Sequence, residues 1–238
     1  MGGVAGAAVE LRSVNTGRPA RLGVDGGRVV RSAIHKHPVS VDTLELGATN
    51  LEGDRQSDLR VHGGPDKALY VYPAEHLEAW ERELGAAGHD VARLFVPGSI
   101  GENLTVAGWD EQRTHIGDVW EWGDALVQVA QPREPCFKLG LRTGIAVMVR
   151  LFETSGRSGW YLRVLRPGTV PVRTPLQLRV VERDGRGVSV HAAARLLRGR
   201  PPRAQLEAAV DHPALAAAWR RGLQRRLALH DADNGTPA

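Results

Sequence analysis

The sequence predicts a β-rich α+β protein with a smaller all-helical region at its C-terminal end. Three observations carry this. Short apolar runs separated by turn residues fill the first part of the chain, a strong hairpin signal spans Val119 to Val129, and strand signal ends near Val188, after which three helix-like segments follow.

In chain order, Val9 to Val14 reads as an opening strand, and Leu22 to Val24 with Val29-Val30 flank a Gly26-Gly27 turn. Ser32 to Ile34, Val39 to Val41 and Leu44 to Leu46 continue as a meander, and Gly47 to Asp54 reads as a loop. Ala68 to Tyr72 is a strand candidate. Pro73 then takes a favoured first-turn position, and Leu77, Trp80 and Leu84 recur at helical spacing up to Gly85. Pro97 to Val106 is a glycine-punctuated loop feeding a strand. Val119 to Trp122 and Ala125 to Val129 are β-rich runs joined by Gly123-Asp124, and Pro132 and Pro135, with no N–H to donate, are expected to stop the ladder. Ile145 to Glu153 places Ile145, Met148, Val149 and Phe152 on one helical face, with Gly156 after it. Gly159 to Leu165 and Leu176 to Val181 are the last strands, separated by a turn at Pro167-Gly168. The helix-like pieces are His191 to Leu197, Arg203 to Val210 and Pro213 to Leu229, with a domain boundary expected near Asp184-Gly185 and a disordered tail from Asp231.

A chain of 238 residues suits one large domain, or one domain with a small appendage. No run of eighteen apolar residues exists, so no membrane span is expected. The N-terminal stretch lacks the basic and apolar segments of a signal peptide, which makes the cytoplasm the expected compartment. The formal net charge of +4 is mild evidence for an anionic partner, either nucleic acid or a phosphorylated cofactor, although scattered arginines alone would produce it.

The single cysteine, Cys136, should sit on a loop where the chain leaves the sheet. Arg133 and Lys138 are close in sequence, and a helix can begin at Phe137 with its N–H groups toward the sulfur; both effects favour the thiolate. A thiolate is a soft metal donor and a nucleophile. The competing reading is a small buried hydrophobe.

Arg60, His62, Gly63, Gly64 and Lys67 could form an open, cationic loop for an anion, with a tight turn ending at Pro65 as the alternative. Glu102 and Asn103 offer a carboxylate and an amide in a loop, where solvated side chains are the simpler reading. Lys36 lies between two histidines and could meet an anion, although a lysine beside a strand end is ordinarily exposed. The basic stripe of Arg220, Arg221, Arg225 and Arg226 faces away from Leu215, Trp219, Leu223 and Leu227. A solvated helix face explains that stripe better than nucleic-acid contact.

The stretches G-D-R-Q-S-D-L-R-V-H-G-G-P-D-K-A-L, G-E-N-L-T, G-D-V-W-E-W-G-D-A-L-V-Q-V-A-Q-P-R-E-P-C-F-K-L and G-W-Y-L-R-V, in this order, resemble a MOSC-domain protein of the YiiM type. The helical end, with L-A-A-A-W-R-R-G-L-Q-R-R-L, is similar to the three-helix domain of that subfamily. The resemblance implies a barrel-like MOSC core over residues 32–184, N-terminal strands over 1–31 packed on it, a three-helix domain over 185–230 and a tail over 231–238. It implies a molybdenum cofactor, Mo-molybdopterin, with Cys136 as the protein ligand to the metal. It also implies a two-electron reductase of N-hydroxylated compounds of the hydroxylaminopurine type, acting in detoxification. By motif position, Arg60, His62, Gly63, Gly64, Asn103, Arg133 and Lys138 would line the cofactor pocket, Lys36 would meet pterin or phosphate, and His62 or Glu102 would deliver a proton. An external electron donor is expected, since no iron–sulfur cysteine set or dinucleotide fingerprint is present. The alternative is a carrier of cofactor or sulfur without turnover. Pyridoxal phosphate enters only by association with cofactor sulfurases, and no site for it is seen. A separate expectation is that the helical domain serves as a homodimer contact or as a docking surface for the electron donor.

Overall fold

The computed structural model describes residues 6–57 and 63–234. Its centre is a closed seven-stranded barrel made from β1 (Ala8–Thr16), β6 (Leu69–Pro73), β7 (Leu104–Ala107), β8 (Val119–Trp122), β9 (Ala125–Pro132), β10 (Trp160–Arg166) and β12 (Leu176–Glu182). The remaining strands are a ribbon of β2 (Ala20–Asp25) and β3 (Arg28–Ser32), a two-residue β4 (His37–Pro38) paired to β1, and a second ribbon of β5 (Thr43–Leu46) with β11 (Gly168–Pro171).

Around the barrel the order is β12, β8, β9, β10, β6, β7, β1 and back to β12. Strand β1 closes it. Val9 pairs with Leu178 of β12, while Leu11 pairs with Val106 of β7, and a bulge between Leu11 and Ser13 lets one strand serve both neighbours. The N-terminal strand is therefore itself a stave of the barrel. Strands β6 and β7 run parallel, and the connection they require is supplied by helix α1 (Ala74–Ala86).

Two apolar clusters hold the architecture. Strand residues that point inward at period two fill the barrel, with Trp120 edge-on to both Trp109 and Trp160 at centroid distances of 5.9 and 6.0 Å. The second cluster lies outside the barrel wall and clamps α1, α2 (Phe137–Thr143) and α3 (Met148–Ser155). Phe152 stacks between Tyr72 and Trp80 at 5.8 and 5.2 Å, and Leu139 and Met148 are fully buried beside it. Leu139 fixes the helix that follows Cys136.

The C-terminal helices are α4 (Val190–Leu196), α5 (Arg203–Val210) and α6 (Ala217–Asn234). Ser189 caps α4 by accepting from Ala192 N–H at 3.1 Å. Their apolar residues, Leu206, Trp219 and Leu223 among them, join the same cluster as the barrel interior.

Several elements differ from the sequence expectation. Strand β9 continues through Pro132, which pairs with Trp160, because a missing N–H costs nothing at the last rung of a strand. Val39 to Val41 forms no strand, and Ser32 ends β3 rather than opening a new one. Strand β11 was hidden behind the turn signal at Pro167-Gly168. Helix α6 begins at Ala217, after a turn in which Ala216 N–H donates to the Ala130 carbonyl, and it continues to Asn234, beyond Asp231 where a disordered tail was expected.

Gly159 directly precedes β10 and packs against β6. Its φ is +71°, and a Cβ there would collide with the Val71 carbonyl and lie 2.8 and 2.9 Å from the Tyr70 and Tyr72 rings. Gly159→Ala should lower unfolding stability by roughly 3 kcal/mol through overpacking and the left-handed backbone. The control Gly187→Ala, at φ +69° with open space around it, should cost about 1 kcal/mol. Urea denaturation of both variants checks the difference, and equal losses would contradict it.

Candidate functional site

Cys136 is half-buried and is the N-cap residue of α2, on the loop by which the chain leaves β9. This matches the expected placement at a sheet end. The sulfur-bearing residue lines a pocket together with Lys36, Asn103, Arg133, Lys138 and Tyr161, so residues distant in sequence converge there.

The pocket rests on a buried polar network. Asp54 accepts from the Gly17 N–H at 2.9 Å and from Asn103 Nδ2 at 3.0 Å, and its Oδ1 meets the Lys36 ammonium. Lys36 is only 7% exposed, so of the two readings of this lysine the solvated one does not apply. Burial lowers its pKa, and the Asp54 carboxylate opposes that shift. Asn103 is used on every side. It donates also to the Asn15 carbonyl, accepts from Tyr70 N–H at 3.1 Å, and gives its own N–H to the Tyr70 carbonyl at 2.7 Å. This amide therefore holds β6, β1 and Asp54 in register at the pocket wall.

Arg133 is the second buried cation. Its guanidinium carbon lies 4.8 Å from the Tyr70 ring centroid and 5.8 Å from that of Phe152. Burial opposes its charge, but the Tyr70 and Tyr161 hydroxyls and the Cys136 sulfur outweigh this, and its pKa is raised. One of its nitrogens, Nη1, is buried without a hydrogen-bond partner. Burial likewise raises the Tyr161 phenol, against the pull of Arg133. Lys67 stands 5.9 Å from the Tyr161 ring centroid, and burial lowers its pKa.

Glu102 is placed differently from expectation. It is fully buried and its oxygens accept from Gly98 N–H at 2.6 Å, Ile100 N–H at 3.3 Å and the Thr105 hydroxyl at 3.2 Å. The carboxyl group thus organises its own loop, the loop whose Ile100 and Gly101 form a pocket wall, and it is not positioned to hand a proton into the pocket. Gly63 and Gly64 do not line the pocket. Gly64, at φ +95°, opens the short helical turn Pro65–Lys67 that carries Lys67. Arg60 and His62 lie outside the described residues.

Sequence reasoning missed Asp54, Tyr70 and Tyr161. Asp54 carries no local signal, since its partners lie 18, 37 and 49 residues away. Tyr161 was recoverable, because on a strand it must face opposite to its buried neighbours Trp160 and Leu162.

Desolvation raises the Glu102 pKa from 4.5 to about 7, against the loop N–H groups that favour the carboxylate. The folded state therefore binds a proton more tightly than the unfolded chain, and this group's contribution to stability falls as pH rises from about 4.5 to about 7. Replacing it by Glu102→Gln should flatten that part of the stability profile by up to about 3 kcal/mol. Denaturation midpoints of both proteins across this pH range are the check, and parallel profiles would contradict the assignment.

A family model described as MOSC domain matches residues 58–177, and one described as YiiM-like, 3-alpha helix domain matches residues 188–230. The chain is 39% identical over 215 residues to the uncharacterized protein YflK of Bacillus subtilis, covering 90% of this chain and 92% of that one. It is 39% identical over 196 residues to protein YiiM of Escherichia coli, covering 82% and 84%. A protein named reductase from Gibberella moniliformis is 32% identical over 161 residues, covering 67% of this chain and 27% of that protein. The crystal structure of YiiM from Escherichia coli superposes with a TM-score of 0.74 at 31% identity, covering 94% of each chain. The barrel with its lone cysteine at the β9 exit, and the three helices packed on it, thus belong to a member of the MOSC family of the YiiM type.

Proposed function

We propose that this protein binds a molybdenum cofactor in the Cys136 pocket and is a two-electron reductase of N-hydroxylated compounds of the hydroxylaminopurine type. The observation that carries the reading is one thiol set among basic side chains: Lys36, Lys67, Arg133 and Lys138 line the pocket with Cys136. The residues fit such a group. Arg133 Nη1 is a buried donor without a protein partner, suited to an anionic oxygen, and a soft sulfur suits molybdenum. Among the described residues no group of three or more His, Cys, Asp or Glu side chains could hold a metal ion unaided. A single thiolate suits a metal whose other ligands arrive with it. The relative from Gibberella moniliformis named reductase supports a reductive chemistry.

When bound, the cofactor supplies a centre that exchanges two electrons. The chain's own residues supply the rest. Cys136 Sγ would hold the metal, while Lys138 would neutralise phosphate charge, Lys36, already paired with Asp54, would meet the pterin as a hydrogen-bond donor, and Arg133 would hold an anionic oxygen beside the sulfur. Tyr161, kept protonated by burial, is a proton-bearing group on the pocket wall, and it replaces Glu102 as the source for the oxygen that leaves. An external reductase would return the electrons, and detoxification in the cytoplasm is the role this chemistry suits. No helix among the described residues is long and apolar enough to cross a membrane.

Elemental molybdenum and oxidised-pterin fluorescence, measured on wild type and Cys136→Ala from a host that makes the cofactor, test the reading together with 6-hydroxylaminopurine reduction by an artificial donor. Metal and pterin should be stoichiometric in the wild type, and the variant should lose at least about tenfold in rate. A wild type with neither metal nor pterin after reconstitution would contradict the proposal, as would an unimpaired variant. Turnover that stops after one equivalent would turn the reading to a carrier.

A further inference from the structure

Among the described residues the ribbon β2–β3 makes no strand pairing with the barrel sheet, and it stands beside the pocket. Its inner side is anchored. Leu22 packs on the second apolar cluster, a Cβ at Gly23 would touch Leu141 of α2 at 3.8 Å, and Ser32, Ala33 and Ile34 at its root line the same pocket as Cys136. Its outer side is left to solvent. Arg21 is directly opposite Arg31, and Val24 directly opposite Val29. Val29 and Arg31 are two residues apart on one strand, so all four side chains share a face.

That face is costly in isolation. Val24 and Val29 are 48% and 59% exposed, and two arginines are held side by side where like charges destabilise a strand pair. Exposed Arg18 lies just ahead of the ribbon, while Arg28 falls on the other face, directly opposite Asp25; among the described residues no carboxylate forms an ion pair with Arg18, Arg21 or Arg31, and Arg31 donates to the Pro19 carbonyl at 2.8 Å. An apolar spot rimmed by cations that have no carboxylate partner has the make-up of a protein interface whose partner is acidic. Nucleic acid would use the cations but gain little from the valines.

We infer that the β2–β3 ribbon is the docking arm for an acidic electron-donor protein, which it brings to the mouth of the Cys136 pocket. The inference rests on the reductase reading and names its missing partner. The reduced donor gives up two electrons at the site; the N–O bond of the substrate breaks, two protons are taken up, and the products are the amine and water.

The test compares two electron sources on the cofactor-loaded full chain: reduced methyl viologen, a small cation that reaches the pocket unaided, and NADH plus NADPH with a soluble extract of source cells lacking this protein. The variants are Arg21→Glu/Arg31→Glu and Val24→Ser/Val29→Ser, both on solvent-facing positions. The extract-supported rate should fall at least about tenfold in the charge variant and about threefold in the valine variant. In wild type it should also fall as salt is raised. The viologen rate should be unchanged in both. Extract-supported rates that are equal in all three proteins, or no higher than without extract, would overturn the inference. So would ribbon-dependent sedimentation with phosphatidylserine vesicles, which would assign the arm to lipid, or a wild-type dimer that the charge variant abolishes, which would assign it to a second copy. No viologen-driven turnover in wild type would contradict the reductase reading itself and remove the ground of this inference with it.

Discussion

The buried carboxylate of Asp54 is the interaction on which the pocket depends. It joins the exit of β1 at Gly17, the segment before β4 at Lys36 and the loop before β7 at Asn103, side by side with the backbone bonds that also link them. An ammonium as buried as that of Lys36 is sustainable only with a paired and hydrogen-bonded counter-charge. Removal of the carboxylate would strand that charge, which typically costs about 3–5 kcal/mol. The same carboxylate therefore ties three loops together and compensates the buried Lys36 charge, which leaves Lys67, Arg133 and Lys138 to set the positive side of the pocket.

Barrel closure sets the frame for this network. Because β1 pairs with β12 along one half and β7 along the other, Asn15 at its end lies against Asn103, whose backbone and side chain both engage Tyr70. The wall that carries Tyr70 and Tyr161 is thereby fixed relative to the β9 exit, where Cys136 stands at the start of a helix tied down by Leu139 and Phe152. Rigid strands on one side and a packed helix on the other hold Cys136, Arg133 and Tyr161 in one place. Such a supporting shell is what a binding site needs to keep its geometry.

Local patterns in the sequence resolved those elements whose stability is local or periodic. The β8–β9 hairpin, helix α1 with Leu77, Trp80 and Leu84 on one face, and the segment Arg203 to Val210 were legible for that reason. The prolines after β9 correctly placed Cys136 on a loop, yet Pro132 itself still belongs to the strand. Charged residues were read least well. Lys36 and Glu102 looked solvent-exposed because their burial depends on partners and backbone amides brought in by tertiary structure, and Asp54 drew no notice at all. The β5–β11 ribbon was obscured in the same way, since its pairing joins residues more than a hundred positions apart, such as Glu45 and Thr169.

X-ray absorption at the molybdenum edge of the cofactor-loaded protein tests the central claim most directly, with wild type compared against Cys136→Ser. If Cys136 Sγ is the protein's ligand to the metal, the variant shows one sulfur neighbour fewer and a shifted edge. Identical sulfur coordination in the two proteins would contradict the account, and would leave Cys136 as a residue of the pocket wall alone.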